Sequence, residues 1–343
     1  GRVIGISLTS LPIGKTLARD IYDVKGRLLL PKDTVLQPSH VQSLLRLEYN
    51  TVYVIEGDGP VKDKSALPSA YLNAVEEFRN VMDTLMQGGE ASRHQVEQTI
   101  DLLYPHVYET NNILSCLRNL RSRDEYTYQH SIAVSVLAIK LGQTMNIPTE
   151  DLKVLGSAGI LHDIGKCRIP IDVLNKPGKL DDDEWKLIHC HPLFGYDIVQ
   201  KMHFTDSRVA LSVLQHHEHL DGNGYPQGKR GNEIHLFAQI VAVSDVFDAL
   251  TSERFYRNCI PMFPAIEEIM ALTAGHLNPL ISHKLLKYIL DVLPGEQVLL
   301  NTGELATVIR TFEDEPSRPL VSIGERFIDL RTERNIWVVD IWV

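Results

Sequence analysis

Two pairs of neighbouring metal-ligand residues, His162-Asp163 and His216-His217, constrain this chain more than any other feature. His191 lies between them, and His130 and Asp245 stand upstream and downstream. Imidazole and carboxylate are good donors for hard or borderline divalent cations, and no cysteine pattern competes with them. A fold that uses these side chains together has to bring the ends of several helical segments to one point. Read this way, the chain is a metal-dependent hydrolase built on helices, with the cluster as its site.

The local patterns agree. Asp163 sits beside His162 at a helix C-terminus that Gly165 is able to end. Two adjacent side chains leave a last turn in different directions, so they need not serve the same metal. His216-His217 closes the helical pattern Val209, Val213, Leu214. Asp245 lies among Ile240, Val241, Val243, Val246 and Phe247, where a carboxylate is costly to bury unless a cation pairs with it. Hydrolysis of a phosphodiester near neutral pH needs a strong nucleophile and charge relief on the phosphate. Two metals about 3.5–4 Å apart supply both. A carboxylate bridge is the natural way to hold them, and Asp163 suits that role. Singly, each residue has a plainer reading. A lone histidine usually finds a protein hydrogen-bond partner, and Asp245 alone would be a surface or capping carboxylate. His189, His203, His219, His235, His276 and His283 read as structural or surface residues. Spacing on a helix points His189 away from His191.

Composition narrows the class. The 343 residues carry a formal net charge of −10, which argues against a general nucleic-acid surface but leaves room for a local basic pocket. Hydrophobic and charged fractions of 44% and 23% are those of a soluble globular protein. Four scattered cysteines form no CxxC pair, which suits a reducing cytosol and a cytoplasmic location. No basic-then-apolar signal sequence opens the chain, and no run reaches the ~18–20 apolar residues of a membrane span. The nearest, 132–141, is short and contains Lys140.

The pattern along the chain is that of a multidomain protein with an all-α catalytic domain. Residues 1–60 read as a small α+β module, with a strand at 51–55 and a short helix over Val41, Leu44 and Leu45. We expect a regulatory or docking role for it. Residues 61–110 read as a helical linker, of a kind that joins domains or pairs subunits in a homodimer. Residues 111–292 read as the catalytic domain, with helix starts at Thr149-Glu150-Asp151 and at Asp181 through Glu184. Residues 293–343 read as an all-β module: a hairpin turning at Asn301-Thr302-Gly303-Glu304, then strand candidates at 320–330 and 336–343.

Several motifs in order make the chain resemble the HD-GYP domain, a branch of the HD superfamily of metal-dependent phosphohydrolases. They are Tyr126-Thr127-Tyr128-Gln129-His130, His162-Asp163-Ile164-Gly165-Lys166, Asn175-Lys176-Pro177-Gly178-Lys179, His191-Pro192 and His216-His217-Glu218. Leu220-Asp221-Gly222-Asn223-Gly224-Tyr225-Pro226, Asp245-Val246-Phe247-Asp248 and Arg254-Phe255-Tyr256-Arg257 complete the set, over about residues 111–290. The resemblance implies hydrolysis of cyclic di-GMP to pGpG and on to GMP. It implies two divalent metals, iron or manganese, with nickel or zinc compatible. One metal would be held by His130, His162, Asp163 and Asp245, the other by Asp163, His191, His216 and His217. Some relatives hold a third metal with a glutamate four residues before the first histidine. Tyr126 stands there, beside Asp124 and Glu125, so two metals are expected.

Asp163 and Lys166 are the expected catalytic pair. Lys166, Arg254 and Arg257 would neutralise phosphate oxygens, with Lys176 and Lys179 weaker candidates. Tyr225 would stack on guanine or hold its loop, which Gly222, Gly224 and Pro226 shape. Other signalling proteins are expected partners at the Gly224-Tyr225-Pro226 loop or the β modules; nucleic-acid polymers are not. The alternatives are a cyclic dinucleotide receptor or scaffold with little turnover, or a phosphodiesterase for another cyclic dinucleotide or for linear pGpG.

Overall fold

The computed structural model describes residues 3–8, 13–23, 26–47, 49, 51–55, 67–120, 126–252 and 261–342. The chain divides into two compact units, residues 1–66 with 342–343, and residues 67–341.

In the smaller unit, β1 (Val3–Ser7) pairs antiparallel with β4 (Thr51–Ile55), from Val3 opposite Ile55 to Ser7 opposite Thr51. β2 (Ile21–Tyr22) pairs with β3 (Leu28–Leu30), and α1 (Pro38–Arg46) precedes β4. Along β4 the pleat alternates: Val52 and Val54 are buried while Thr51 and Tyr53 are exposed. The two valines join Leu8, Leu17, Leu36, Val41 and Leu44 in a small core.

The larger unit begins with α2 (Leu67–Met86), α3 (Arg93–Glu109) and α4 (Ile113–Asn119). The segment read as a linker thus forms long helices. α2 and α3 pack on one another, on α5 (Tyr126–Thr144), and in the case of α3 on α6 (Thr149–Leu161). α5 is the central element. Ile132 through Leu141 are all buried, so the helix is apolar on every side because protein surrounds it. Lys140 is the exception in composition and not in placement. Its Nζ reaches Gln143 Oε1 at 2.7 Å and the Tyr108 carbonyl at 3.3 Å, and burial pushes its pKa down to about 8. Among the described residues, no helix is long and apolar enough to cross a membrane.

After α6 comes a 3₁₀ turn, Ile164–Arg168, followed by α7 (Ile171–Leu174), α8 (Asp182–Ile188), α9 (His191–Lys201) and α10 (Ser207–Gln215). Asp181 caps α8, accepting from the Asp183 and Glu184 amides at 3.0 and 2.9 Å, as the acidic run at its start predicts. A loop with a second 3₁₀ turn, Gly231–Glu233, leads to α11 (Leu236–Ser252), and then α12 (Met262–Leu272) and α13 (Pro279–Val292) follow. α10 packs on α6, α9 and α11, and α11 packs on α5. The site residues lie where these helices end or cross.

The unit closes with five strands in the order β8-β7-β6-β5-β9: β5 (Gln297–Leu300), β6 (Leu305–Arg310), β7 (Leu320–Ile323), β8 (Arg326–Asp329) and β9 (Val338–Trp342). β5 and β6 form the expected hairpin, with Val298 opposite Ala306. The single strand expected over 320–330 is instead a hairpin, β7 with β8, in which Ile323 faces Arg326. Its turn residue Gly324 has φ +58° and no strong flanking turn signal.

Candidate metal centre

Helix ends and two helix interiors build the cluster. His162 ends α6, Asp163 precedes the 3₁₀ turn, His191 opens α9, and His216 ends α10 with His217 following it. His130 lies in α5 and Asp245 in α11. Helix α6 stops at Leu161, before the position where Gly165 was expected to end it. Gly165 has a different task. A Cβ there would collide with the His191 carbonyl and the Gly195 amide, so glycine lets the 3₁₀ turn lie against the first turn of α9.

The seven side chains fall into two donor groups, Asp163 with His191, His216 and His217, and His130 with His162 and Asp245. Within each, the ligand atoms lie within 4.8 Å of one another. Asp163 joins them through its two oxygens. Its Oδ1 is 3.2 Å from His191 Nε2 and 3.9 Å from His216 Nε2. Its Oδ2 is 3.4 Å from His162 Nε2 and 3.9 Å from His130 Nε2. Asp245 Oδ1 completes the second group, 3.0 Å from His130 Nε2 and 3.8 Å from His162 Nε2.

The protonation pattern is set by the backbone. The Nδ1 atoms of His162, His191 and His216 lie 2.7–2.8 Å from the carbonyls of Gly159, Ile188 and Val213. A carbonyl only accepts, so each Nδ1 carries the hydrogen, and in its neutral form each ring turns a bare Nε2 lone pair inward. His191 Nε2 and His216 Nε2 face each other at 3.3 Å, and two lone pairs at that distance call for a cation. His162 Nε2 and Asp163 Oδ1 are buried without a hydrogen-bond partner. Such orphans are rare in a folded interior unless an ion satisfies them. Burial, aided by neighbouring histidine charge, holds His216 well below the ordinary imidazole range, and burial pushes His217 down to about 3. Burial opposes the charge on Asp163, yet Lys166 and His162 hold the carboxyl well below its usual range. His216 and His217 held neutral beside an ionised Asp163 are in the ligand-ready state, so this donor group fits a divalent metal.

One supporting residue had no role assigned from sequence. Asp248, one turn past Asp245 on α11 and 1% exposed, lies 2.7 Å from His130 Nδ1. Burial works against a charge on His130, but Asp245 and Asp248 on its two nitrogens raise it well above the usual range. Asp248 fixes the ring so that Nε2 faces the cluster. The spacing of two carboxylates on one turn of an apolar helix was the available signal. Asp248→Ala should weaken metal binding about 10–100-fold, the usual cost of losing such a partner. Competition with a chelating dye measures it, and unchanged affinity would dismiss the role.

Lys166 joins the cluster, its Nζ 2.5 Å from Asp163 Oδ2 with its side chain 31% exposed. Lys176 is ion-paired with Glu184 at 2.6 Å. Arg254 and Arg257 lie outside the described residues, as do Asp124, Glu125 and the side chain of Tyr126. Tyr225 is placed differently from a base-stacking residue. His189 stacks on it at 4.0 Å and 10°, and His217 at 4.7 Å and 22°. With rings against it on both sides, Tyr225 holds the loop. His189 caps α8 while His191 opens α9, so the two do not share a helix and the spacing argument does not apply.

The loop itself is tied down by Glu218, which accepts from the Gln227 and Lys229 amides at 2.7 and 2.9 Å. Gly222 takes φ +84°, as expected, but Gly224 is needed for space: a Cβ would meet the backbone of residues 217–219. The Leu220 and Asp221 amides bond the His276 and Gly275 carbonyls at 3.1 and 2.8 Å.

A family model described as "HD domain" matches residues 95–281. The chain belongs to the HD domain family. Its similarity to a Pseudomonas aeruginosa protein named cyclic di-GMP phosphodiesterase PA4108 is 38% identity over 210 residues, 61% of this chain and 50% of the relative. A Vibrio cholerae protein named 3'3'-cGAMP-specific phosphodiesterase 3 is 36% identical over 182 residues, 52% of this chain and 38% of the relative. The chain thus spans half or less of the length of these relatives. A solved structure titled "Bd1817, a HDG"Y"P protein from Bdellovibrio bacteriovorus" shares the fold, with a TM-score of 0.51 at 17% identity, covering 83% of this chain and 98% of that one. The HD domain match includes all seven helices from α5 through α11, and it begins within α3.

The loop of this HD domain carries its own pH dependence. The rings of His219 and His276 lie 3.5 Å apart at an interplanar angle of 35°, and Asp221 lies against the neighbouring Gly275. Burial, then the charge of His219, lowers His276 to about 4, while Asp221 pulls the other way. The unfolded chain takes up this proton near pH 6.5. His276 therefore favours the fold fully above pH 6.5, and that stability is lost as pH falls towards 4. Urea melts should show a shallower loss over this window in His276→Gln than in the parent; equal slopes would exclude it.

Proposed function

We propose that this HD domain protein is a metal-dependent phosphodiesterase that hydrolyses cyclic di-GMP to pGpG and then to GMP. One observation carries the reading: a single buried carboxylate, Asp163, turns one oxygen to each of two histidine-rich donor groups. Two divalent metals, iron or manganese, would be held by His130, His162, Asp163 and Asp245, and by Asp163, His191, His216 and His217. Bound there, they acidify water and offset charge on phosphate oxygens.

The chain's own residues do the rest. The carbonyl-bonded Nδ1 atoms fix the rings so that no reorganisation is needed. Lys166, partly exposed on the Asp163 side, neutralises a phosphate oxygen and supplies a proton to the leaving oxygen. Arg254 and Arg257 would offer bidentate contacts to phosphate oxygens. We place the enzyme in the cytoplasm, with residues 1–60 as a regulatory module, 111–292 as the catalytic domain, 293–343 as a β module, and 61–110 joining the first two.

A second substrate is favoured by a specific likeness, since one relative is named for 3'3'-cGAMP. The test is metal analysis of protein purified without oxygen, followed by product analysis with each cyclic dinucleotide under each metal. Linear pGpG appearing before GMP is the expected course. Metal-loaded protein that binds both dinucleotides and cuts neither would reduce it to a receptor.

A further inference from the structure

The rings on Tyr225 do not end with it. His217, a ligand of the centre, stacks on Tyr225 at 4.7 Å; Tyr225 stacks on His189 at 4.0 Å; and His189 lies 4.7 Å from Trp185 with an interplanar angle of 53°. His217, Tyr225 and His189 are half-buried, whereas Trp185 is 53% exposed. The line therefore leads from the metal cluster outward to an indole with only one side engaged.

We infer that Trp185 is the stacking platform for a nucleobase of the substrate, an inference that rests on the cyclic dinucleotide reading above. Three features of the line support it. Tyr225 is covered on both sides and has no face left for a base. Trp185 has one, and base–aromatic stacking is tolerant of base identity because every base presents a π-face. Its surroundings also select the base over the phosphate. The first turn of α8 carries Asp182, Asp183 and Glu184; Lys176 pairs with Glu184 and Lys186 with Asp183, so both lysines are already engaged and the remaining net negative charge disfavours a phosphodiester while leaving an uncharged base free to stack.

The indole is held for the task. Asp181 caps α8 through two amides, and Lys176 bridges to Glu184 from the preceding loop. His189, on the same helix face four residues on, supports the ring from beneath. A phosphate at the metals and a base on Trp185 would thus engage the two ends of one rigid line. This predicts a binding contribution made equally in ground and transition states, which moves KM and leaves kcat alone.

The test uses the full chain loaded with manganese. Trp185→Ala should raise KM for cyclic di-GMP about tenfold or more with kcat within about twofold, and Trp185→Phe should restore most of the loss. The exposed position makes misfolding of either variant unexpected, and metal content serves as the check. A parallel titration follows tryptophan fluorescence as cyclic di-GMP is added. Quenching is expected in the parent and should vanish in Trp185→Phe, which retains Trp337 and Trp342. Should the dinucleotide go uncut but quench Trp185, hydrolysis fails and the platform stands. Unchanged KM in Trp185→Ala, or quenching that persists in Trp185→Phe, overturns the platform whatever the turnover.

Discussion

Asp163→Ala is expected to lose metal and turnover together, with activity falling at least about a thousandfold. The carboxylate is 5% exposed and gives Oδ1 to His191 and His216 and Oδ2 to His162 and His130. Alanine removes a donor from both groups and leaves imidazoles whose Nε2 atoms face one another without an anion. Asp163→Asn separates bridging from shape. An amide keeps one oxygen acceptor but replaces the other with a donor, so it should retain one metal group and lose the second. Metal stoichiometry by mass spectrometry should then fall by about one ion per chain in the asparagine variant and further in the alanine variant, if the pair works as a two-metal clamp. Circular dichroism should show the helices intact, because a buried carboxylate costs desolvation that alanine does not. An alanine variant with parental metal content and turnover would end the bridging assignment.

The helical body was legible because α5, α6 and α11 are long apolar runs, with Ile147-Pro148 marking the break between the first two. α5 shows how far that goes: 132–141 resembles a short membrane segment in composition, and only the surrounding helices make it a core element. The seven donors were legible for a different reason. His and Asp at helix ends, or a carboxylate such as Asp245 inside an apolar helix, are chemically distinctive, and the structure gathers all seven donors. What sequence withheld is contact between distant residues. Tyr225 is a plausible base stacker until His189, 36 positions away, covers one face. Asp248 is one more helix carboxylate until His130, 118 positions away, meets it. The β7–β8 hairpin was missed because its tight turn is carried by Gly324 alone, within an otherwise strand-like run. Glycine is the hardest residue to read, since Gly222 serves a positive φ and Gly224 a close approach, two needs that look identical in sequence.

Gly165→Ala should be the most damaging substitution outside the donors. A methyl group there meets the His191 carbonyl and the Gly195 amide, both backbone, so no side chain can swing aside to admit it. Either the 3₁₀ turn Ile164–Arg168 or helix α9 has to move. His191 is the first residue of α9 and Asp163 immediately precedes the turn, so either movement pulls apart the 3.2 Å approach between Asp163 Oδ1 and His191 Nε2. Overpacking of this kind costs roughly 3 kcal/mol. In a unit of this size that corresponds to a fall in Tm of about 6–12 °C. Metal should be lost selectively from the group of Asp163, His191, His216 and His217, while His130, His162 and Asp245, carried by α5, α6 and α11, keep theirs. Gly178→Ala is the matched control: its backbone is at φ +121° but a Cβ there meets nothing within 4 Å, so it carries conformational strain without a collision at the site. It should lower Tm modestly and leave metal content whole. Equal metal loss in the two variants would mean that general destabilisation, and not the seating of the turn on α9, governs occupancy of the centre.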